Sequence, residues 1–270
     1  MPEGPELKIT CDNLNKLLNG KEIIELNILS GRYFQQDKRP DNYNELQKML
    51  PLKIKEINVK GKLLYFIFEN NWVLLNTMGM SGRWTNNYQK HCHLELKYCS
   101  DKIIWFCDPR RFGTIKILSN INCLNKKLST LGPDMLNSDI LFEDFLKILR
   151  KNNNKNITKI LMNQSVISGC GNYIKSESLY RSKISPHNLI KDIDDNRLEK
   201  LFIELRNVMK ESYLSQGATI STYYDVNDKK GEYKFNFLVY GRKYDNYNNE
   251  IIREKTPDGR TSHWVNQIQY

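Results

Sequence analysis

Between Lys21 and Leu118 the chain is a succession of short apolar runs rich in Ile, Val, Phe and Tyr, among them residues 21–29, 54–59, 63–68, 72–76 and 103–107. Each run is of strand length and is bounded by turn residues, and β-branched and aromatic side chains suit a pleated, half-buried surface. The pattern predicts a β-sandwich. On both sides of it the spacing is helical. Leu7, Cys11, Leu14 and Leu18 recur on one face between Pro5 and Gly20, which predicts an opening amphipathic helix. Residues 119–137 are mixed and contain Leu131-Gly132-Pro133-Asp134, which reads as a boundary. Beyond it the helical period returns: a helix capped by Ser138 or Asp139 and running through Leu149, one over 157–162, one over 173–180, and a long one capped by Asp194 or Asp195 and reaching about Leu214. Residues 233–268 read as a hairpin turning at Pro257-Asp258-Gly259. The expected class is therefore α+β with two domains, 1–130 and 131–270, and no internal repeat.

A chain of 270 residues is long enough for two such cores. Its 41 Lys and Arg against 31 Asp and Glu leave a net charge of +10, which suits a phosphate-rich partner. A Lys-, Asn- and Ile-rich composition is equally what an AT-rich genome encodes. Residues 151–156 (Lys-Asn-Asn-Asn-Lys-Asn) read as a solvated turn or as a phosphate contact. No run of about 18 apolar residues and no basic-then-apolar leader occurs, so a soluble, intracellular protein is expected. The six cysteines show no CxxC spacing, which predicts reduced, mostly buried thiols with neither a zinc site nor a disulfide framework. His91-Cys92-His93 falls in a strand pattern, where neighbouring side chains point to opposite faces and cannot converge on one ion.

The chemistry is concentrated at the start, Met1-Pro2-Glu3-Gly4-Pro5-Glu6. Removal of Met1 would make Pro2 the amino terminus. An α-amino group titrates near pH ~8, and a secondary amine condensing with an aldehyde gives a charged iminium, an electron sink. Glu3 beside it would move protons as general acid and base. The same six residues also make an ordinary helix start.

Three further segments occur with this one: Gly79-Met80-Ser81-Gly82, Asp108-Pro109-Arg110-Arg111-Phe112-Gly113 and Ser168-Gly169-Cys170-Gly171-Asn172-Tyr173. In this order and at these spacings the chain resembles the formamidopyrimidine-DNA glycosylase/endonuclease VIII family (Fpg/Nei) of base-excision repair enzymes, from Pro2 to about Gln269. The resemblance implies an N-terminal β-sandwich preceded by a helix, and a C-terminal helix–two-turn–helix domain with a finger hairpin over about 233–270. It implies Pro2 as nucleophile and Glu3 as proton carrier. It also implies Met80, Arg110 and Phe112 as the side chains that fill the stack vacated by a flipped nucleotide. The residue types fit: Met is flexible, Phe wedges between bases, and a planar guanidinium bonds an orphaned base edge. By themselves Met80 and Phe112 read as core residues. Lys62, with Lys60 as its competitor, matches the lysine that contacts phosphate near the lesion, and would otherwise be a strand-edge residue. Asn172 matches a backbone-contacting residue at a glycine-flanked helix start, Glu177 matches an acidic residue of the same motif with a supporting role, and Glu177 and Glu6 are counted with the DNA-binding set.

Family members with a zinc finger carry two CxxC pairs, the first after Val-Tyr-Gly-Arg. Here Val239-Tyr240-Gly241-Arg242 is present, yet the cysteine positions fall on Tyr247, Glu250, Val265 and Ile268. The resemblance therefore implies a zincless finger, with no metal and no cofactor, and Arg260 as the finger arginine near the lesion's phosphates. Residues 216–223 resemble the loop over the flipped base. The implied activity is a bifunctional glycosylase and AP lyase acting on damaged double-stranded DNA as a monomer, with single-stranded or bubble DNA left open. The PEGPE start favours oxidised pyrimidines such as thymine glycol and dihydrouracil, with formamidopyrimidines and hydantoins. The Asp108–Gly113 segment keeps 8-oxoguanine as the alternative, and a non-catalytic damaged-DNA-binding protein is the alternative of another class.

Overall fold

A computed structural model describes residues 2–218, Val226 and residues 231–270. Helix α1 (Gly4–Leu18) leads into strands β1 (Glu22–Ile28), β2 (Leu52–Lys60), β3 (Leu63–Phe68), β4 (Val73–Thr77), β5 (Arg83–Thr85), β6 (Cys92–Tyr98), β7 (Lys102–Cys107) and β8 (Thr114–Leu118), with α2 (Tyr43–Met49) between β1 and β2. The strands are ordered β5-β7-β6-β1-β2-β3-β4-β8, every pair antiparallel. β1 and β2 meet only at Glu22↔Lys53 and Ile23↔Leu52, and this short join is the corner of a sandwich. Phe66 on β3 and Trp84 on β5 are far apart in strand order, yet their rings lie 5.4 Å apart. The two halves therefore face each other across one core, sealed by Leu7, Leu14 and Leu18 of α1.

The second domain contains α4 (Phe142–Arg150), α5 (Ile157–Met162), α6 (Asn172–Arg181) and α7 (Asp195–Leu214), preceded by α3 (Ile121–Ser129). Asn156 caps α5 by accepting from Thr158 N, and Asp194 caps α7 by accepting from Arg197 N. The helices enclose Phe145, Leu161, Tyr173, Ile174 and Leu205, and α6 runs through the middle with one face toward α1. Strands β9 (Ile252–Lys255) and β10 (Thr261–Trp264) form the C-terminal hairpin. The expected two-domain α+β class is what the chain adopts. Among the described residues no helix is long and apolar enough to cross a membrane.

Two expectations are corrected. Helix α3 forms within 119–137, which reads as mixed: its stripe of Ile121, Leu124 and Leu128 spans only two turns, and only Leu124 of its nine residues is fully buried. Cys92 and Cys107 are not free thiols: β6 and β7 pair these two residues directly, and their sulfurs are joined in a disulfide. A cross-strand pair is made by register, which spacing in the sequence does not reveal. Of the other four, Cys11 and Cys170 are buried and Cys99 and Cys123 exposed.

Candidate active site

The first turn of α1 is pinned from both sides. Gly4 N donates to Gly169 O at 2.9 Å and Glu3 N donates to the Glu6 carboxylate at 2.8 Å. The Glu3 carboxylate thereby enters the N-terminus of α6, where Tyr173 N and Ile174 N donate to it at 3.1 and 3.4 Å. Gly171 is needed at this contact, since a Cβ there would lie 2.1 Å from Glu3 Cδ. Burial raises the Glu3 pKa above the ordinary carboxylate value, while Lys62 and the two N–H groups pull the other way. A carboxyl group so balanced is suited to give and take a proton.

Lys62 comes from the β2–β3 turn. Gly61, at φ 58°, packs so tightly on Ser168 and Gly169 that a Cβ would meet them at 2.6–2.8 Å. Its N–H donates to Asp134 at 2.8 Å, and Asp134 also accepts from Leu136 N and Asn137 N. The boundary segment 131–134 is therefore also the brace of the Lys62 turn.

Met80 and Phe112 sit on neighbouring loops clamped by one buried carboxylate. Asp108 accepts from Ser81 Oγ and from Gly113 N, both at 2.6 Å, and Ser81 Oγ in turn accepts from Arg110 N. Gly79, at φ 58°, lets the two backbones touch. Phe112 is 51% exposed, and the Arg110 guanidinium lies 5.1 Å from the centre of its ring. A large apolar ring held in solvent on a fixed loop is a surface made to meet something.

Pro2, Lys62, Met80, Phe112 and Arg260 line one open cavity of about 520 Å³, together with Leu7, Thr77, Met78, Gly79, Met162 and Gln164. Glu3 follows Pro2 in the chain and is buried, the Arg110 guanidinium lies beside the Phe112 ring, and Asn172 Nδ2 donates at 2.8 Å to the O of Thr261, the β10 residue after Arg260. Glu6 and Glu177, counted with the DNA-binding set, are corrected only as direct contacts: both are fully enclosed, which leaves Glu177 the supporting place that the motif implies. Glu6 accepts from Glu3 N, Tyr173 Oη, Ser212 Oγ and Ala218 N, and burial pushes its pKa up to about 7. Glu177 accepts from Leu238, Val239 and Tyr240 N, fixing the start of the finger. Both carboxylates act on the protein's own backbone, which glutamates in short motifs do not disclose.

Gln164 belongs to the site although the sequence does not single it out. Its Oε1 accepts from Gly169 N and its Nε2 donates to Cys170 O, bracing the 168–171 loop; a polar residue just past a helix carries no distinguishing sequence signal. Of the expected base-covering loop, residues 219–223 lie outside the described residues. The donor set of a zinc finger is not present in the hairpin: Val265 and Ile268 pack with Val239, Ile251 and Tyr180. Among the described residues no group of three potential metal ligands occurs.

Comparison with known proteins agrees with this geometry. Residues 1–115 match the family model of the formamidopyrimidine-DNA glycosylase N-terminal domain, and residues 131–224 that of the formamidopyrimidine-DNA glycosylase H2TH domain. The formamidopyrimidine-DNA glycosylase of Wolbachia pipientis subsp. Culex pipiens is 31% identical over 276 residues, covering 100% of both chains. That of Acinetobacter baumannii is 32% identical over 90% of this chain and 86% of its own. A crystal structure of a Lactococcus lactis Fpg point mutant in complex with Fapy-dG containing DNA superposes with a TM-score of 0.88, at 26% identity and 99% coverage of each chain. The same bacterium's Fpg in complex with an abasic site containing DNA gives 0.87 at 25% identity, again over 99% of each. With both domain families matched in order, full-length relatives above 30% identity, and a buried glutamate joining the two domains beside Pro2, the chain belongs to the formamidopyrimidine-DNA glycosylase (Fpg) family of DNA-repair enzymes.

Proposed function

We propose that the protein excises oxidised bases from double-stranded DNA and cuts the strand at the same site, working as a monomer. The observation that carries this is the convergence of Pro2, Lys62 and Arg260 on one open cavity, with Glu3, the residue next to Pro2, buried against the start of α6. After Met1 is removed, the Pro2 nitrogen attacks C1′ of the extruded nucleotide and the base leaves with the glycosidic electron pair. Glu3 protonates the sugar oxygen, the ring opens, and the resulting iminium acidifies the C2′ proton. Loss of that proton expels the 3′ phosphate (β-elimination), and a second proton loss expels the 5′ phosphate (δ-elimination). Residues 1–130 supply the amine and the acid. Residues 131–270 supply Asn172 and Arg260, which with Lys62 grip the bent backbone, while Met80, Arg110 and Phe112 fill the vacated stack.

For the base itself, formamidopyrimidines and 8-oxoguanine come first. Every relative named above is an Fpg protein, and one was seen with Fapy-dG containing DNA. The PEGPE start supports oxidised pyrimidines as the second reading. Borohydride trapping on duplexes carrying formamidopyrimidine, 8-oxoguanine or thymine glycol, with mass mapping of the adduct, tests both points. An adduct at Pro2 is expected, fastest on the purine-derived lesions. Thymine glycol as the fastest substrate would reverse the ranking. No adduct and no scission on any duplex, from folded protein lacking Met1, would leave the non-catalytic binder as the better reading.

A further inference from the structure

Without zinc ligands, something else must fix the finger turn that carries Arg260, and α6 supplies it. Lys175 lies three residues after Asn172, and its side chain is fully buried. Its Nζ meets Asp258 Oδ2 at 2.7 Å, and the Asp258 side chain is only 3% exposed. The other carboxylate oxygen accepts from Thr256 Oγ1 at 2.6 Å. Thr256 N donates to Arg260 O at 3.0 Å and Gly259 N to Thr256 O at 2.8 Å, so residues 256–260 form one closed turn around the ion pair. Burying an ammonium and a carboxylate is expensive, and an apolar pair of similar volume generally holds a hairpin as well or better. What a 2.7 Å ion pair adds is a fixed position. That position is referred to α6, the helix whose N-terminus holds Glu3.

We propose that the buried Lys175–Asp258 pair is the positioning device for Arg260, doing in this finger what a metal does in zinc-bearing ones and locking the finger arginine to the helix that seats the catalytic acid. The inference rests on the reading of Arg260 as a contact to the substrate. Lys175 and Asp258 are positioning residues, acting only through it.

The test is single-turnover scission of a duplex with a preformed abasic site, with binding measured separately and melting curves confirming the fold. K175M and D258N are expected to slow scission about tenfold to a hundredfold, the scale of a misplaced contact, and to leave the Kd for the same duplex within about threefold, since many phosphate contacts share the affinity. In an R260A background K175M is expected to cost nothing further. Wild-type scission by folded K175M, or a loss that multiplies with that of R260A, would overturn the proposal. Wild-type scission by R260A itself would remove the role of Arg260 and the clamp with it. Should K175M not fold, the apolar pair K175M/D258L takes its place: slow scission from that folded variant supports the proposal and full rate refutes it.

Discussion

Gly171→Ala isolates the junction between the two domains. The added methyl carbon would lie 2.1 Å from Glu3 Cδ and 2.4 Å from both carboxylate oxygens, against a comfortable separation of about 3.5–4 Å. The backbone is not the obstacle, since φ −133° and ψ −161° are open to alanine. Something must therefore move by roughly 1.5 Å. If the carboxylate moves, it leaves the N–H groups of Tyr173 and Ile174, hydrogen bonds to a charged acceptor being worth about 1.5–3 kcal/mol each. If the helix moves, overpacking costs about 1–3 kcal/mol. Both routes lower the melting temperature by several degrees, at roughly 2–4 °C per kcal/mol for a chain of this size. Catalysis should suffer more. Positioned acid–base groups contribute about 10²–10⁴ in rate, so single-turnover base release should drop by about that factor while DNA affinity holds. In an E3Q background the same substitution should add little. A folded G171A enzyme with the parent's rate would show that Glu3 does not act from this seat.

Three other outcomes follow from the same contacts. Because burial raises the folded-state pKa of Glu6 to about 7, its contribution to stability is fully present below the unfolded carboxylate value of about 4.3 and is lost as pH rises through 7; the difference in melting temperature between the parent and E6Q should therefore change across that window, and a pH-independent difference would contradict the assignment. Asp108→Ala leaves Ser81 Oγ and Gly113 N without their acceptor and should destabilise by about 2–4 kcal/mol, measured by urea unfolding. Phe112→Ala removes a half-exposed ring, so unfolding should change by less than about 0.5 kcal/mol while excision from duplex DNA falls at least tenfold; a large stability loss would mean the ring is part of the core after all.

Much of the fold is legible in the sequence because its periods are strong. α5 spans the predicted 157–162, α7 starts at the predicted Asp194 cap, and β3 covers the predicted 63–68. What escapes is set by register or by a single buried partner. The Cys92–Cys107 bond depends on which residues β6 and β7 place opposite each other. α3 fully buries one leucine, and its stripe of Ile121, Leu124 and Leu128 is only two turns long. At the site, the residues with distinctive chemistry, Pro2, Glu3, Lys62 and Arg260, can be picked out from the motifs. The bracing residues cannot. Asp134, Gln164 and Lys175 are ordinary polar letters in the sequence, and their meaning comes from which backbone or charge the fold sets beside them. Glu6 misleads in the opposite direction, since it reads as one of the DNA contacts and faces the chain's own N–H groups, whereas Glu177, read as supporting its motif, accepts from the backbone of the finger's start.

The seat of Glu3 has a consequence for when the enzyme is armed. Under the proposed mechanism the amine is that of Pro2, which becomes a nucleophile once Met1 is lost. Glu3, its proton carrier under the same mechanism, is held in the folded chain by the N–H groups at the start of α6, which belongs to the second domain. Under that mechanism a half-made or partly unfolded chain would carry a reactive terminus without the apparatus to use it on DNA. Strand cutting as proposed would then require both domains to be in place, an ordering that would guard against stray breaks.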